Sequence, residues 1–188
     1  ILGGVCYRLR GDGSVTVPEL TERTPYAVVT NFVPSLGRSF TGPMTREEFS
    51  RAVDAFVPSS NYMYALRVTG RFAWASASTV TKQDRPYRPM IEATDGEEIA
   101  RHENFSGTIA GFRTPLYESG ISVAGCHAHI VDDDRTWGGH LVDFVLEEGE
   151  AELCLGTDFR MRLPLTEEFR TADLSEDMTE EIRRVEHH

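Results

Sequence analysis

The sequence predicts a mixed α/β protein of the α+β type, with two sheet-containing halves and few helices. Most of the chain reads as short runs rich in β-forming residues, separated by turn residues. One helix has clear start and stop signals, and a polar segment punctuated by proline, residues 82–89, separates the two strand-rich parts. We therefore expect an N-terminal sheet-rich part over residues 1–90 and a C-terminal, metal-binding sheet part with a tail over residues 91–188.

In the N-terminal part, turn residues bound each predicted strand. Gly11-Asp12-Gly13 is typical of a turn before a short edge strand, and Pro34 ends a long β-rich run. Thr69-Gly70 is a plausible two-residue hairpin turn. The predicted strands of this part lie at residues 5–9, 15–17, 26–33, 62–68 and 71–75.

One helix is predicted between these strands. Thr45 and Glu48 have the spacing of a capping box, and Pro58 stops the helical pattern. Four apolar residues fall on one face at helical spacing, which indicates an ordinary helix that faces the core. They are Phe49, Ala52, Val53 and Phe56.

The C-terminal part is again rich in strands and ends in a charged tail. Met178, Ile182 and Val185 recur at helical spacing, which predicts a short terminal helix. The predicted strands lie at residues 107–112, 126–131, 140–146, 151–155 and 159–163.

Composition narrows the class of protein. The chain has 188 residues, 40% hydrophobic and 26% charged, which suits one compact domain or two small ones. No apolar run approaches the roughly 20 residues that span a bilayer, so we expect no membrane partner. The net charge of -11 repels phosphate backbones and disfavours nucleic acid. Three cysteines without CxxC spacing fit a reducing, cytoplasmic location, with a removed N-terminal signal as the open alternative.

Three histidines carry the strongest chemical signal. His127 and His129 are two residues apart in a predicted strand, so both imidazoles point to the same face. An Asp/Gly-rich stretch predicts a hairpin loop, after which His140 begins the returning strand. If the strands pair antiparallel, His140 lies beside His129. Three neutral imidazoles suit Zn²⁺ or a similar divalent ion and keep one position open, as in catalytic sites.

Neighbouring residues have more ordinary interpretations. The histidines themselves could be satisfied sheet residues, although three at this spacing favour a metal. His102 is predicted to be a surface residue. Asp132-Asp133-Asp134 is predicted to be a solvated loop, with cation binding as the alternative. Cys126 has the opposite strand parity and is not expected to be a ligand.

The three-histidine block and several other segments give the chain a resemblance to a known family, alpha-acetolactate decarboxylase. The HxH and GGH block around the three histidines, followed by Asp143, is the most specific part of the resemblance. The other matching segments are spread over nearly the whole length. They lie at residues 7–13, 23–26, 44–49, 58–67, 86–87, 107–115 and 120–123.

The resemblance implies a zinc held by His127, His129 and His140, a homodimer, and conversion of 2-acetolactate to acetoin and carbon dioxide. It also implies that Glu186, in the C-terminal tail, reaches the site as a catalytic residue. In charged tails, however, a glutamate is by default solvated.

The chain departs from the family pattern at Ser78, where family members usually carry an arginine that contacts the substrate. A serine cannot supply a bidentate carboxylate contact. Arg71 and Arg113 are candidate replacements. Two alternatives therefore stay open: a divergent homologue with an altered 2-hydroxy-3-keto acid substrate, and a non-catalytic metal-containing binding module. Clustered histidines also occur in the plant and prokaryote conserved domain.

Overall fold

The computed structural model describes residues 1–24, 26–79, 83–84, 92 and 99–174. The sheet-rich prediction is confirmed, since these residues form seven strands and two short α-helices. The strands are β1 (Arg8–Leu9), β2 (Val15–Thr16), β3 (Leu36–Thr45), β4 (Met63–Ser78), β5 (Ala100–Thr114), β6 (Gly125–Asp132) and β7 (Gly138–Gly156). The helices are α1 (Arg46–Asp54) and α2 (Glu167–Thr171), with a 3-10 turn at Leu116–Glu118.

Five of the strands form one antiparallel sheet. Its order is β3-β7-β4-β5-β6, and β6 also pairs with β7, so the sheet curls back on itself. β1 and β2 form a separate hairpin. The large sheet takes strands from both sides of residue 90, and the division of the chain at that point stays a prediction.

The hydrophobic core lies on one face of this sheet, where α1 covers it. Phe49 of α1 contacts Phe144 with ring centroids 5.6 Å apart, and Phe72 lies on the other side of Phe144 at 5.9 Å. The predicted capping box of α1 is confirmed: the Thr45 hydroxyl accepts from Glu48 N–H, and the Glu48 carboxylate accepts from Thr45 N–H. Burial of the apolar face, rather than helix propensity, is what holds so short a helix in place.

The predicted hairpin turn at Thr69-Gly70 is wrong. β4 runs without a turn through this point, and Gly70 lies opposite Gly107 of β5 and Gly149 of β7. A Cβ atom on Gly70 would lie 2.3 Å from the Glu148 carbonyl oxygen. Glycine is therefore required here for the close approach of neighbouring backbones, which is its other common role in strands.

Four further strand predictions need correction. Residues 26–33 and 159–163 form no strand in the described part of the chain. The first segment is rich in β-formers and the second alternates apolar residues with arginine, but such patterns produce a strand only where a partner takes up the backbone hydrogen bonds. The predicted strands 140–146 and 151–155 are one continuous strand, β7, because Gly149 passes through the close contact with Gly70.

Some predictions fall outside the described residues. They are the terminal helix containing Met178, Ile182 and Val185, most of the connector 82–89, and Glu186. Within the described ranges, none of the helices has the length and apolar character needed to cross a membrane.

Candidate metal centre

The hairpin formed by β6 and β7 brings the three histidines together. His129 lies directly opposite His140 in the register of the two strands, which confirms the pairing predicted from the sequence. His127 precedes His129 by two residues and therefore points to the same face. Strand alternation and one short loop thus place three imidazoles on one patch of the sheet.

The distances suit a single ion. One nitrogen from each imidazole can be chosen so that all three lie within 4.8 Å of one another. The ring centroid of His127 is 5.2 Å from that of His129 and 4.8 Å from that of His140. In a tetrahedral site, zinc–nitrogen bonds of about 2.0–2.1 Å place the ligand nitrogens roughly 3.3 Å apart, so side-chain rotations that draw the rings together would bring all three nitrogens onto one ion.

The electrostatics favour the neutral form of His129 and His140, which is the form in which an imidazole binds a metal. The pKa of His129 is lowered to about 3 by the surrounding protein and by its neighbours His127 and His140. The pKa of His140 is lowered to about 4, mainly by burial and then by the charges of His127 and Arg46. The side chain of His129 is partly open to solvent. For His129, repulsion from the other two rings is therefore a better supported cause of the lowered pKa than burial.

Three residues on adjacent strands surround the histidines on the same face. Phe112 lies opposite His127, Ala110 lies opposite His129, and Ser78 lies opposite His140. Directly opposed residues of an antiparallel pair share a face, so these side chains border the imidazoles. Ser78 is 9% exposed. The residue at which the chain departs from its family pattern is therefore buried beside a histidine of the cluster.

The sequence predicts that the loop joining the two strands is solvated, but one of its carboxylates is buried. Asp132 is 4% exposed, and its Oδ1 accepts from the N–H groups of Thr136 at 2.7 Å and Trp137 at 3.0 Å. Its Oδ2 accepts from the Thr136 hydroxyl at 2.7 Å. Burial alone would raise the pKa of this carboxyl, but the hydrogen bonds from Trp137 and Thr136 outweigh burial and lower the pKa.

His102 differs from its prediction as a surface residue. It is half-buried, with its ring stacked on Trp137 at 5.1 Å and tilted against Phe105 at 4.6 Å. It lies outside the three-histidine cluster, which is the one potential metal-binding group among the described residues. His102 therefore supports the hairpin loop by packing.

The two arginines proposed as replacements for a missing cation do not border the cluster. Arg113 lies opposite Cys126, on the face away from the histidines, and pairs with Asp54 at 2.8 Å. This register agrees with the expectation that Cys126 is not a ligand, and burial raises the pKa of its thiol. Arg71 pairs with Glu147 and with Glu148.

The cation that sequence reasoning missed is Arg46, the first residue of α1. Its guanidinium donates to the Val142 carbonyl at 2.5 Å, and its charge contributes to the lowered pKa of His140. Arg46 belongs to segment 44–49, one of the segments that carry the family resemblance. Only the contact between α1 and β7 shows that its side chain lies near His140. Glu186, predicted to be catalytic, lies outside the described residues.

Comparisons with known proteins agree with this geometry. The family model for alpha-acetolactate decarboxylase matches residues 1–176. A relative of that name from Bacillus subtilis (strain 168) is 38% identical over 184 residues, covering 97% of this chain and 72% of the relative. One from Raoultella terrigena is 38% identical over 181 residues, covering 96% and 70%.

The solved structures agree as well. The crystal structure of alpha-acetolactate decarboxylase from Bacillus subtilis strain 168 has a TM-score of 0.94 at 37% identity, covering 99% of this chain and 80% of that one. A Staphylococcus aureus protein described as similar to alpha-acetolactate decarboxylase has a TM-score of 0.94 at 27% identity, covering 98% and 80%. The chain therefore belongs to the alpha-acetolactate decarboxylase family, a family of carbon–carbon lyases.

Proposed function

We propose that this chain converts 2-acetolactate to acetoin and carbon dioxide with a divalent metal ion, Zn²⁺ or a similar ion, held by His127, His129 and His140. The observation that carries the proposal is the convergence of three imidazole nitrogens within 4.8 Å on one face of a hairpin. Membership of the family supplies the substrate and the reaction.

The donor set fits the ion. Three nitrogen ligands match a borderline ion such as zinc, and a site with three protein ligands leaves a coordination position for substrate. The lowered pKa values of His129 and His140 keep both rings neutral at physiological pH. When bound, such an ion acts as a Lewis acid that stabilises the negative charge developing on substrate oxygens as carbon dioxide leaves.

The chain's own residues would shape the space around the substrate. Phe112 and Ala110 form an apolar border on the β5 side of the cluster, and we expect them to limit the access of water. Ser78 forms the border on the β4 side. Glu186 remains our candidate for the acid that returns a proton to the product carbon, and this role rests on the family resemblance alone.

A divergent substrate is the second candidate function, and the position of Ser78 favours it. Ser78 is buried directly opposite His140, so a change at this position alters the immediate surroundings of the cluster. A small neutral residue leaves room for a bulkier or less charged 2-hydroxy-3-keto acid. A metal-containing binding module without activity is the remaining alternative, and turnover separates it from both enzymes.

We further propose that the chain acts as a cytoplasmic homodimer. The homodimer rests on the family resemblance. The location is supported by the three cysteines, Cys6, Cys126 and Cys154, all of which are free thiols, as a reducing compartment favours.

The test combines metal content with turnover. Purified protein should contain close to one zinc or similar ion per chain and should release acetoin from racemic 2-acetolactate, and a chelator should abolish the release. His129→Ala should lose most of the metal and reduce turnover by at least about 100-fold, since it removes a central ligand. Cys126→Ser, on the same strand but the opposite face, is the matched control and should retain both. Full metal occupancy in a protein with both His127→Ala and His129→Ala would refute the site.

A further inference from the structure

The start of β7 is held by few contacts, although the candidate metal centre depends on its register. On its β4 side, only Ala77 with Leu141 and Ser78 with His140 pair before a register shift separates them from the rest of the ladder. On its other side, the start of β7 pairs with β6. Only three residue pairs join the two strands: His129 with His140, Ile130 with Gly139, and Val131 with Gly138. In two of these pairs the β7 residue is a glycine, which has no side chain to pack across the strands. Glycine-rich strands specify their register weakly, and a slip of one residue would turn His140 to the opposite face.

The Asp132 carboxylate compensates for this weak ladder. Asp132 is the last residue of β6, and its Oδ1 accepts from the N–H groups of Thr136 and Trp137, the two residues just before β7 begins. Its backbone N–H also donates to the Trp137 carbonyl at 3.0 Å. Because the same carboxylate binds both residues, it fixes which residues form the loop and so favours one register between the two strands.

The other side of the loop is packed against the rest of the molecule. The Trp137 ring stacks on His102 at 5.1 Å and contacts Phe105 edge-on at 5.6 Å. The β1–β2 hairpin closes over it, since Gly138 N–H donates to the Gly13 carbonyl at 3.0 Å. The loop is therefore held on both sides directly before the residues that lead to His140.

We propose that Asp132 is a positioning residue for the metal site, a role that rests on the proposed function of the three histidines. Its buried carboxylate fixes the β6–β7 loop, and the loop places His140 opposite His129. Asp132 does not itself bind the metal, because it lies outside the group whose ligand atoms converge.

The experiment measures Zn²⁺ affinity by competition with a chromophoric chelator. Asp132→Ala should weaken Zn²⁺ binding at least tenfold. Asp132→Asn keeps an acceptor for the two N–H groups and should recover most of the affinity. Thr136→Val removes only the hydroxyl that donates to Oδ2, and we expect a loss of about threefold. Asp133→Ala removes an exposed carboxylate from the same loop and is the matched control with unchanged affinity.

A second measurement does not depend on metal. In metal-free protein, amide exchange at residues 138–140 should be at least tenfold faster in Asp132→Ala than in Asp133→Ala. If Asp132→Ala does not fold, Thr136→Val takes its place in the comparison with Asp133→Ala, with faster exchange and a loss of affinity of about threefold as the expected results. Folded Asp132→Ala with Zn²⁺ affinity within twofold of the unmodified protein, or with exchange like that of Asp133→Ala, would overturn the proposal. Absence of Zn²⁺ binding by the unmodified protein would instead refute the proposed function, while amide exchange would still test whether Asp132 holds the register.

Discussion

Two glycine-containing segments of this chain look like hairpin turns in the sequence, but only one of them is a turn. The segment between His129 and His140 reverses the chain and joins β6 to β7. Thr69-Gly70 lies in the middle of β4, a strand of 16 residues. The difference lies in what surrounds each glycine.

At the true turn, a buried hydrogen-bond acceptor stabilises the reversal of the chain. The Asp132 carboxylate binds N–H groups that the loop would otherwise leave unpaired. At Gly70 the neighbours are backbones instead, because Gly107 and Gly149 flank it on either side. A turn residue therefore predicts a turn only when a local acceptor is present, and a glycine without one can mark a close crossing of strands.

The largest expected effect tests the crossing. Gly70→Ala should lower the free energy of unfolding by about 3 kcal/mol or more, since the added Cβ would meet backbone atoms that cannot move independently. That atom would lie 2.3 Å from the Glu148 carbonyl oxygen and 2.7 Å from Gly149 Cα. Denaturant unfolding of metal-free protein measures the change.

Gly37→Ala provides the matched control within the same sheet. A Cβ at Gly37 of β3 would approach the Ala151 carbonyl oxygen no closer than 3.9 Å, which is ordinary contact. We expect this variant to change stability by less than about 1 kcal/mol and in the stabilising direction, since alanine loses less backbone entropy in a strand. Similar stabilities for the two variants would show that Gly70 is not confined by its neighbours.

The same contrast explains how much of the molecule the sequence predicts. The capping box of α1 and the pairing of His129 with His140 follow from local spacing, and the structure confirms both. The unpaired segment 26–33 was mispredicted because its conformation depends on partners far along the chain. Arg46 and Ser78 were not located relative to the histidines for a similar reason: their contacts cross between elements nearly 100 and about 60 residues apart.

An effect of intermediate size is expected on the stability of the metal-free protein as the pH is lowered. In the unfolded chain histidines take up protons near their ordinary pKa of about 6.5, whereas in the folded protein His129 and His140 remain neutral down to about 3 and 4. The unfolded state therefore binds more protons as pH falls, so the stability of metal-free protein should decline from about pH 6.5 towards pH 4.5. Carboxyl groups with lowered pKa, such as Asp132, contribute mainly below about pH 4.

Unfolding of the metal-free protein by denaturant at several pH values measures this decline. Replacing both His129 and His140 with Asn should flatten it over the same range. Amide exchange compares the hairpin around His140 with the strand crossing around Gly70. As the pH falls, exchange should accelerate around His140 first, because of these two regions only the hairpin contains histidines of lowered pKa. An equal response of both regions would mean that the hairpin is not the acid-sensitive part.

The smallest expected effect concerns Ser78, the last residue of β4, which lies opposite His140. A guanidinium beside the cluster could bind the substrate carboxylate, and such a charge-assisted contact is worth about 1.5–3 kcal/mol, or roughly one to two decades in rate. We expect weak decarboxylation by the unmodified chain and at least a several-fold increase in kcat/KM for Ser78→Arg. The assay is acetoin formation from racemic 2-acetolactate.

Ser78→Met separates charge from size, since it fills similar space without a guanidinium and should produce no increase. Arg71 and Arg113 are occupied by carboxylates elsewhere, so neither replaces a cation at position 78. If the pocket has instead been remodelled for a less charged ligand, Ser78→Arg would bury an unpaired charge beside His140, lowering stability without raising turnover. Strong activity in the unmodified chain, together with no gain in Ser78→Arg, would therefore refute the idea that position 78 lacks a catalytic contact. Weak activity in both proteins would favour the divergent substrate, and a bulkier 2-hydroxy-3-keto acid should then react faster than 2-acetolactate.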